Sequence, residues 1–117
     1  MALRGAITCD DDTLEEIDAK TQTLMKELLA RNDVDHDDLV SVIFTATDDL
    51  TAEFPAAAAR AIGLGDVPLL CARELAVAHG MPRCIRVLVH CYTDRARDEL
   101  HHVYLDGARA LRDDLPG

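Results

Sequence analysis

Several things that common protein functions need are missing or scarce in this sequence. Basic charge is short, with 12 Lys+Arg against 22 Asp+Glu and a net charge of −10, so a sequence-independent grip on nucleic-acid phosphate is excluded. Lysine is nearly absent: apart from Lys20 and Lys26 every basic residue is an arginine. Base composition can produce such an excess, but the planar guanidinium also suits bidentate binding of carboxylates, so the positions of the arginines must decide. No long apolar run exists. The apolar run Phe54 to Ala59, like every other uncharged run, falls far short of the roughly 20 residues that cross a bilayer. The four cysteines (Cys9, Cys71, Cys84, Cys91) form no C-x-x-C pair, and no apolar signal segment opens the sequence, which predicts a reduced, cytoplasmic protein.

Chemical motifs are equally scarce. There is no G-x-G-x-x-G, Walker A loop or G-x-S-x-G, so nucleotide binding and serine hydrolysis have no support. His79, His90, Cys84, Cys91 and the pair His101-His102 lack the spacing of a metal site, because adjacent residues of a strand point to opposite faces. No metal is expected. Cys71 has no base at a recognisable spacing and reads as a small apolar residue.

What remains is enough for one domain over residues 1–117. Its 49% hydrophobic residues are an ordinary supply for one core at this length. Leu3 to Cys9 reads as a strand closed by Asp10-Asp11-Asp12. Thr13 and Glu16 fit a capping box, and Leu14, Ile17, Thr21, Leu24 and Leu28 recur at the spacing of one helical face, predicting a helix to about Arg31. Leu39 to Thr45 is a β-branched strand. Pro55 opens a short helix over Ala56 to Ala61, which Gly63 and Gly65 can end. Val67 to Cys71 is a small strand, Cys84 to Tyr92 the strongest one, and His102 to Leu105 with Ala108 to Leu111 a last extended or hairpin-like segment. This order predicts an α+β fold, a mixed five-stranded sheet with two helices on one face. The other face then needs a cover, which oligomerisation would supply.

Two arginines sit where structure alone does not want them. Arg4 lies inside the first strand and Arg86 inside the most apolar one, where the period of two puts Cys84, Arg86, Leu88, His90 and Tyr92 on one face and Ile85, Val87, Val89 and Cys91 on the other. A half-buried guanidinium needs a carboxylate, from the protein or from a ligand. Glu74 is a candidate internal partner or acceptor for a substrate hydroxyl. Tyr104, one of only four aromatic residues, can cover a pocket and donate its phenol.

Taken together and in order, R-G-A-I-T-C, F-P-A-x-A-x-R-x-I-G, V-P-L-L-C-A-R-E-L, C-I-R-V-L-V and H-V-Y-L-D resemble the AroH-class monofunctional chorismate mutases, from about Leu3 to Leu115. The resemblance implies a homotrimer of pseudo-barrel type with active sites between subunits, and the Claisen rearrangement of chorismate to prephenate without metal or cofactor. It implies that Arg86 reaches the ether oxygen and a carboxylate, that Arg4 and Tyr104 bind a carboxylate, and that Glu74 takes the ring hydroxyl with Cys71 beside it. Phe54, Ala56 and Arg60 would come from a neighbouring subunit, with Leu69 and Leu70 lining the same region and Leu111 and Arg112 approaching it. Ala57 stands where the family pattern leads one to expect a basic rim residue, and Leu70 where it leads one to expect a hydroxyl. The shortness of the tail, which ends at Gly117, puts its ordering over the ligand in question. A different class of reading, a trimeric module that binds a small ligand without turnover, keeps the same pocket; Arg86 distinguishes the two.

Overall fold

A strand is buried on the face where its apolar residues alternate, and the run with the clearest alternation lies at the centre of the sheet. The computed structural model describes residues 1–112. Five strands, β1 (Ala2–Thr8), β2 (Leu39–Ala46), β3 (Leu69–Arg73), β4 (Cys84–Cys91) and β5 (Val103–Leu105), form one sheet in the order β3-β2-β4-β1-β5. β4 runs antiparallel to both neighbours, while the edge strands β3 and β5 run parallel to β2 and β1, so the sheet is mixed as expected. The alternation in β4 is as the sequence implies. Ile85, Val87, Val89 and Cys91 are buried, and Arg86, Leu88 and His90 are half-buried on the opposite face.

Two helices cover the first of these faces. α1 (Leu14–Arg31) begins where the Thr13 hydroxyl accepts the Glu16 N–H at 3.1 Å. The expected box closes differently, because the Glu16 carboxylate reaches back to the Asp10 N–H at 3.2 Å. Ile17, Thr21, Leu24, Met25 and Leu28 form its buried stripe. Leu14, expected in that stripe, is 49% exposed because it occupies the first helical position, ahead of the turn that reaches the sheet. At the other end the Asn32 side-chain amide donates to the carbonyls of Leu28 and His101, both at 2.8 Å, and ties the helix to the chain leading into β5. Gly5 lets α1 come this close: a Cβ there would lie 3.1 Å from Leu24 and 3.1 Å from Val87.

α2 (Pro55–Ala59) starts with Pro55 in its first turn and runs into a widened turn over Arg60–Leu64, which Gly63 ends with φ 94°. β3 lies two residues later than the apolar run Val67 to Cys71 implies, since pairing with Val42 begins at Leu69. The larger correction concerns Ala108 to Leu111. These residues form a 3-10 helix (Asp106–Arg112), not an extended segment. Asp106 adopts φ 54° and stops β5 after three residues, and the Gly107 N–H donates to the Thr8 hydroxyl at 2.9 Å. The turn folds onto one end of the second sheet face, where Ala108 packs with Ala6 and Cys84 against Met81, Tyr104 and Leu111.

Candidate active site

The strand register gathers the candidate residues. Arg86 lies opposite Ala6 of β1 and Thr45 of β2, Arg4 lies opposite Leu88, and Tyr104 lies opposite Ala6. Arg4, Arg86 and Tyr104 therefore share the face that the helices leave free. Glu74 joins them from just beyond β3, with its backbone N–H donating to the Ala46 carbonyl at 3.0 Å. The four line one concavity of about 290 Å³ with Gly5, Ile43, Thr45, Val87 and Leu88.

Within it the Glu74 carboxylate is held on both sides. One oxygen accepts the Thr45 hydroxyl in a short hydrogen bond, and the other lies 3.4 Å from Arg86 Nε. That contact is a charge attraction without hydrogen-bond geometry. The Arg86 Nε–H, shut off from solvent, has no acceptor among the described residues. A buried donor left unpaired is costly, and this one belongs to a guanidinium that lines the cavity. Arg4 is positioned through its backbone, whose N–H donates to His102 Nδ1 at 3.0 Å. Beside the site, burial raises the pKa of the Cys84 thiol despite the opposing charge of Arg86, so Cys84 is no thiolate nucleophile.

The remaining expected residues lie elsewhere in the chain. Phe54, 66% exposed, and Cys71 line a second, larger concavity of about 440 Å³ with Phe44, Leu50, Pro55 and Arg73. In that hollow Arg73 is tethered to the loop before α2, its Nη1 donating to the carbonyls of Thr47 at 2.7 Å and Leu50 at 3.2 Å. Leu69 and Cys71 pack against the helix-covered core, Ala56 is buried in it, and Leu70 is exposed on the free face. Arg60 is exposed on the widened turn after α2. Leu111 reaches the free-face cluster beside Tyr104, and the side chain of Arg112 lies outside the described residues. One chain thus brings together Arg4, Glu74, Arg86 and Tyr104, and leaves Phe54, Ala56 and Arg60 off that concavity.

The hydroxyl of Thr45 and the tether made by Arg73 were not apparent from the sequence. Thr45 reads as one more β-branched strand residue until the register sets it opposite Arg86. The loop leading to Phe54 is also fixed by Asp12, whose carboxylate accepts the Thr51 N–H, the Thr51 hydroxyl and the Ala52 N–H at 2.8 to 3.0 Å.

Residues 1–115 match the chorismate mutase type I family. The chain belongs to that family. It is 49% identical over 114 residues to the chorismate mutase AroH of Thermus thermophilus, covering 97% of this chain and 93% of the relative. To the chorismate mutase AroH of Bacillus subtilis it is 41% identical, covering 97% and 90%. Its structure superimposes on a chorismate mutase from Clostridium thermocellum with a TM-score of 0.92 at 45% identity, covering 94% of this chain and 98% of the other. Among the described residues no helix is long and apolar enough to cross a membrane.

Proposed function

We propose that this chorismate mutase family member rearranges chorismate to prephenate in phenylalanine and tyrosine biosynthesis. The convergence of Arg4, Arg86, Tyr104 and Glu74 on one concavity carries the reading. In the rearrangement the ether C–O bond breaks as a C–C bond forms within one molecule. No proton or electron is exchanged with the protein. The protein's tasks are to hold a flexible dicarboxylate in its compact conformer and to meet the charge that develops on the ether oxygen.

Each side chain suits one of these tasks. Arg86, which lines the concavity, offers its guanidinium to the ether oxygen and a carboxylate. Arg4 and the Tyr104 phenol bind a carboxylate, and Glu74 accepts the ring hydroxyl. Because Glu74 already fixes the guanidinium from one side, little reorganisation accompanies the reaction. Cys71, Leu69 and Leu70 belong to the strand that carries Glu74 toward the ligand.

The site is completed in a homotrimer, in which the exposed Phe54 and Arg60 of a neighbouring copy form the apolar wall and a rim cation; Ala56, expected beside them, is buried in its own core and supports Phe54 from beneath. Two features support this arrangement: those residues do not reach the concavity of their own chain, and the free sheet face exposes Leu70 while only half covering Ile43 and Leu88. The protein works in the cytoplasm, apart from nucleic acid and membranes. Light scattering should give three times the 12.8 kDa chain mass. Chorismate added to the purified protein with chelator should disappear in proportion to enzyme, with prephenate confirmed by acid conversion to phenylpyruvate. A folded oligomer that binds chorismate without turnover above the spontaneous rate would instead make it a ligand-binding module.

A further inference from the structure

We infer that Thr45 is a positioning residue for the reaction, acting through Glu74; the inference rests on the reading of the site just given. Glu74 stands at the start of an irregular stretch, after the last paired residue of β3, so its backbone alone does not fix where the carboxylate goes. Thr45 lies in β2 between two strands, opposite Arg86 on one side and Ala72 on the other. Ala72 is too small to stand between Thr45 and Glu74. The Thr45 hydroxyl donates to one Glu74 oxygen, which turns the other toward Arg86 and the cavity. A β-branched side chain on a strand has little rotamer freedom, whereas a glutamate has three torsions to fix.

The division of labour follows from the donor inventory. A hydroxyl has one proton to give, and here it is spent on the carboxylate. Glu74 keeps its second oxygen for the Arg86 guanidinium or the ring hydroxyl of the ligand. Without the Thr45 proton, the Glu74 side chain moves among several orientations, some of them paired bidentately with Arg86, which removes from the cavity for part of the time both the acceptor and part of the cation that the reaction uses.

Thr45→Val keeps the shape and the β-branch and removes only the hydroxyl, so the strand is retained. It should lower kcat/KM about tenfold to hundredfold, the size expected for one hydrogen bond to a charged group, and Thr45→Ser should restore most of the loss. In a Glu74→Gln background the same Thr45→Val change should add less than about twofold, since coupled residues are not additive. Equal losses in both backgrounds, or an unchanged kcat/KM in Thr45→Val alone, would overturn the proposal. A readout independent of turnover separates this from the activity itself. Side-chain NMR couplings of Glu74 should report one χ1 rotamer in the unsubstituted protein and in Thr45→Ser, and averaging in Thr45→Val. Averaged couplings already present in the unsubstituted protein would sink the idea even if chorismate is turned over, whereas a single rotamer lost in Thr45→Val in a protein that does not turn chorismate over would leave the Thr45–Glu74 tether standing and overturn the reading of the site instead.

Discussion

The two faces of the sheet are made by the same strands and obey different rules. Toward α1 and α2, Val42, Phe44, Ile85 and Val89 are fully buried, and α1 closes over Gly5 so tightly that a methyl group there would press on Leu24 and Val87. Toward the other side the same strands present Thr45, Arg86, Arg4 and Leu88, all half-covered, with the Arg86 Nε–H left without an acceptor among the described residues. One face is organised for stability, and the other keeps polar groups available at some cost to it. Period-two alternation lets one strand serve both ends, since neighbouring residues of β4 belong to different environments.

If that division is real, substitutions on the two faces should affect different observables. Phe44→Ala, on the covered face, should cost about 3 to 5 kcal/mol in a denaturant titration, with turnover per folded molecule changed only a few-fold. Arg86→Ala should do the reverse, lowering kcat by roughly 10² to 10³, the usual cost of one preorganised donor, with the denaturation midpoint nearly unmoved. Comparable stability losses in both variants would erase the distinction.

Thiol chemistry sharpens it. The Cys9 thiol is pushed up to about 12, by burial first and by Glu16 next, and burial raises Cys84 and Cys91 as well. In the native protein at neutral pH an alkylating reagent should therefore modify half-buried Cys71 first, as peptide mass mapping would show. Early labelling of Cys9 would mean that the covered face opens readily.

The smallest effects lie at the exposed rim. Asp12 is held below its ordinary value of 3.8, chiefly by the Thr51 hydroxyl. Its contribution is present above that value and is lost as pH falls through the depressed one, so Asp12→Asn should lower the melting temperature slightly at neutral pH and have no effect in strong acid. His36, raised above 6.5 mainly by its 2.6 Å hydrogen bond to Asp66, behaves oppositely. Its contribution is present below 6.5 and disappears as pH rises through the raised value, so Asp66→Asn should matter at pH 6 and not at pH 9. A melting profile with the opposite pH trend would contradict these assignments.

Strand alternation made Arg4 and Arg86 conspicuous before any fold was known, because a charge inside an apolar strand has few local explanations. The strands and α1 were legible from their periodic patterns, and α2 from Pro55 and the alanines that follow it. The strand order was not, for it depends on contacts between distant parts of the chain. The last turn was misread because Val103-Tyr104-Leu105 favours extension, while Asp106-Gly107 carries the turn signal and Thr8, nearly a hundred residues away, receives it. Thr45 was invisible for the same reason, since its meaning depends on the register with β4. Whatever another copy would add to the proposed site is a property of an assembly, and no local pattern encodes it.

The sheet order also has a consequence for synthesis. β1 is the earliest strand to be made, yet it lies between β4 and β5, the last two, and even the Met1 amino group donates to the Cys91 carbonyl at 2.7 Å. At about 5 to 20 residues per second on a ribosome, the opening strand waits roughly 4 to 16 s before its first partner is available. During that interval both of its hydrogen-bonding edges are open and Arg4 has no cavity to face. The proposed catalytic apparatus thus cannot be completed until the chain is nearly finished; a nascent polypeptide halted before β4 carries Arg4, Thr45 and Glu74 but lacks Arg86, Tyr104 and the central strand that brings them together.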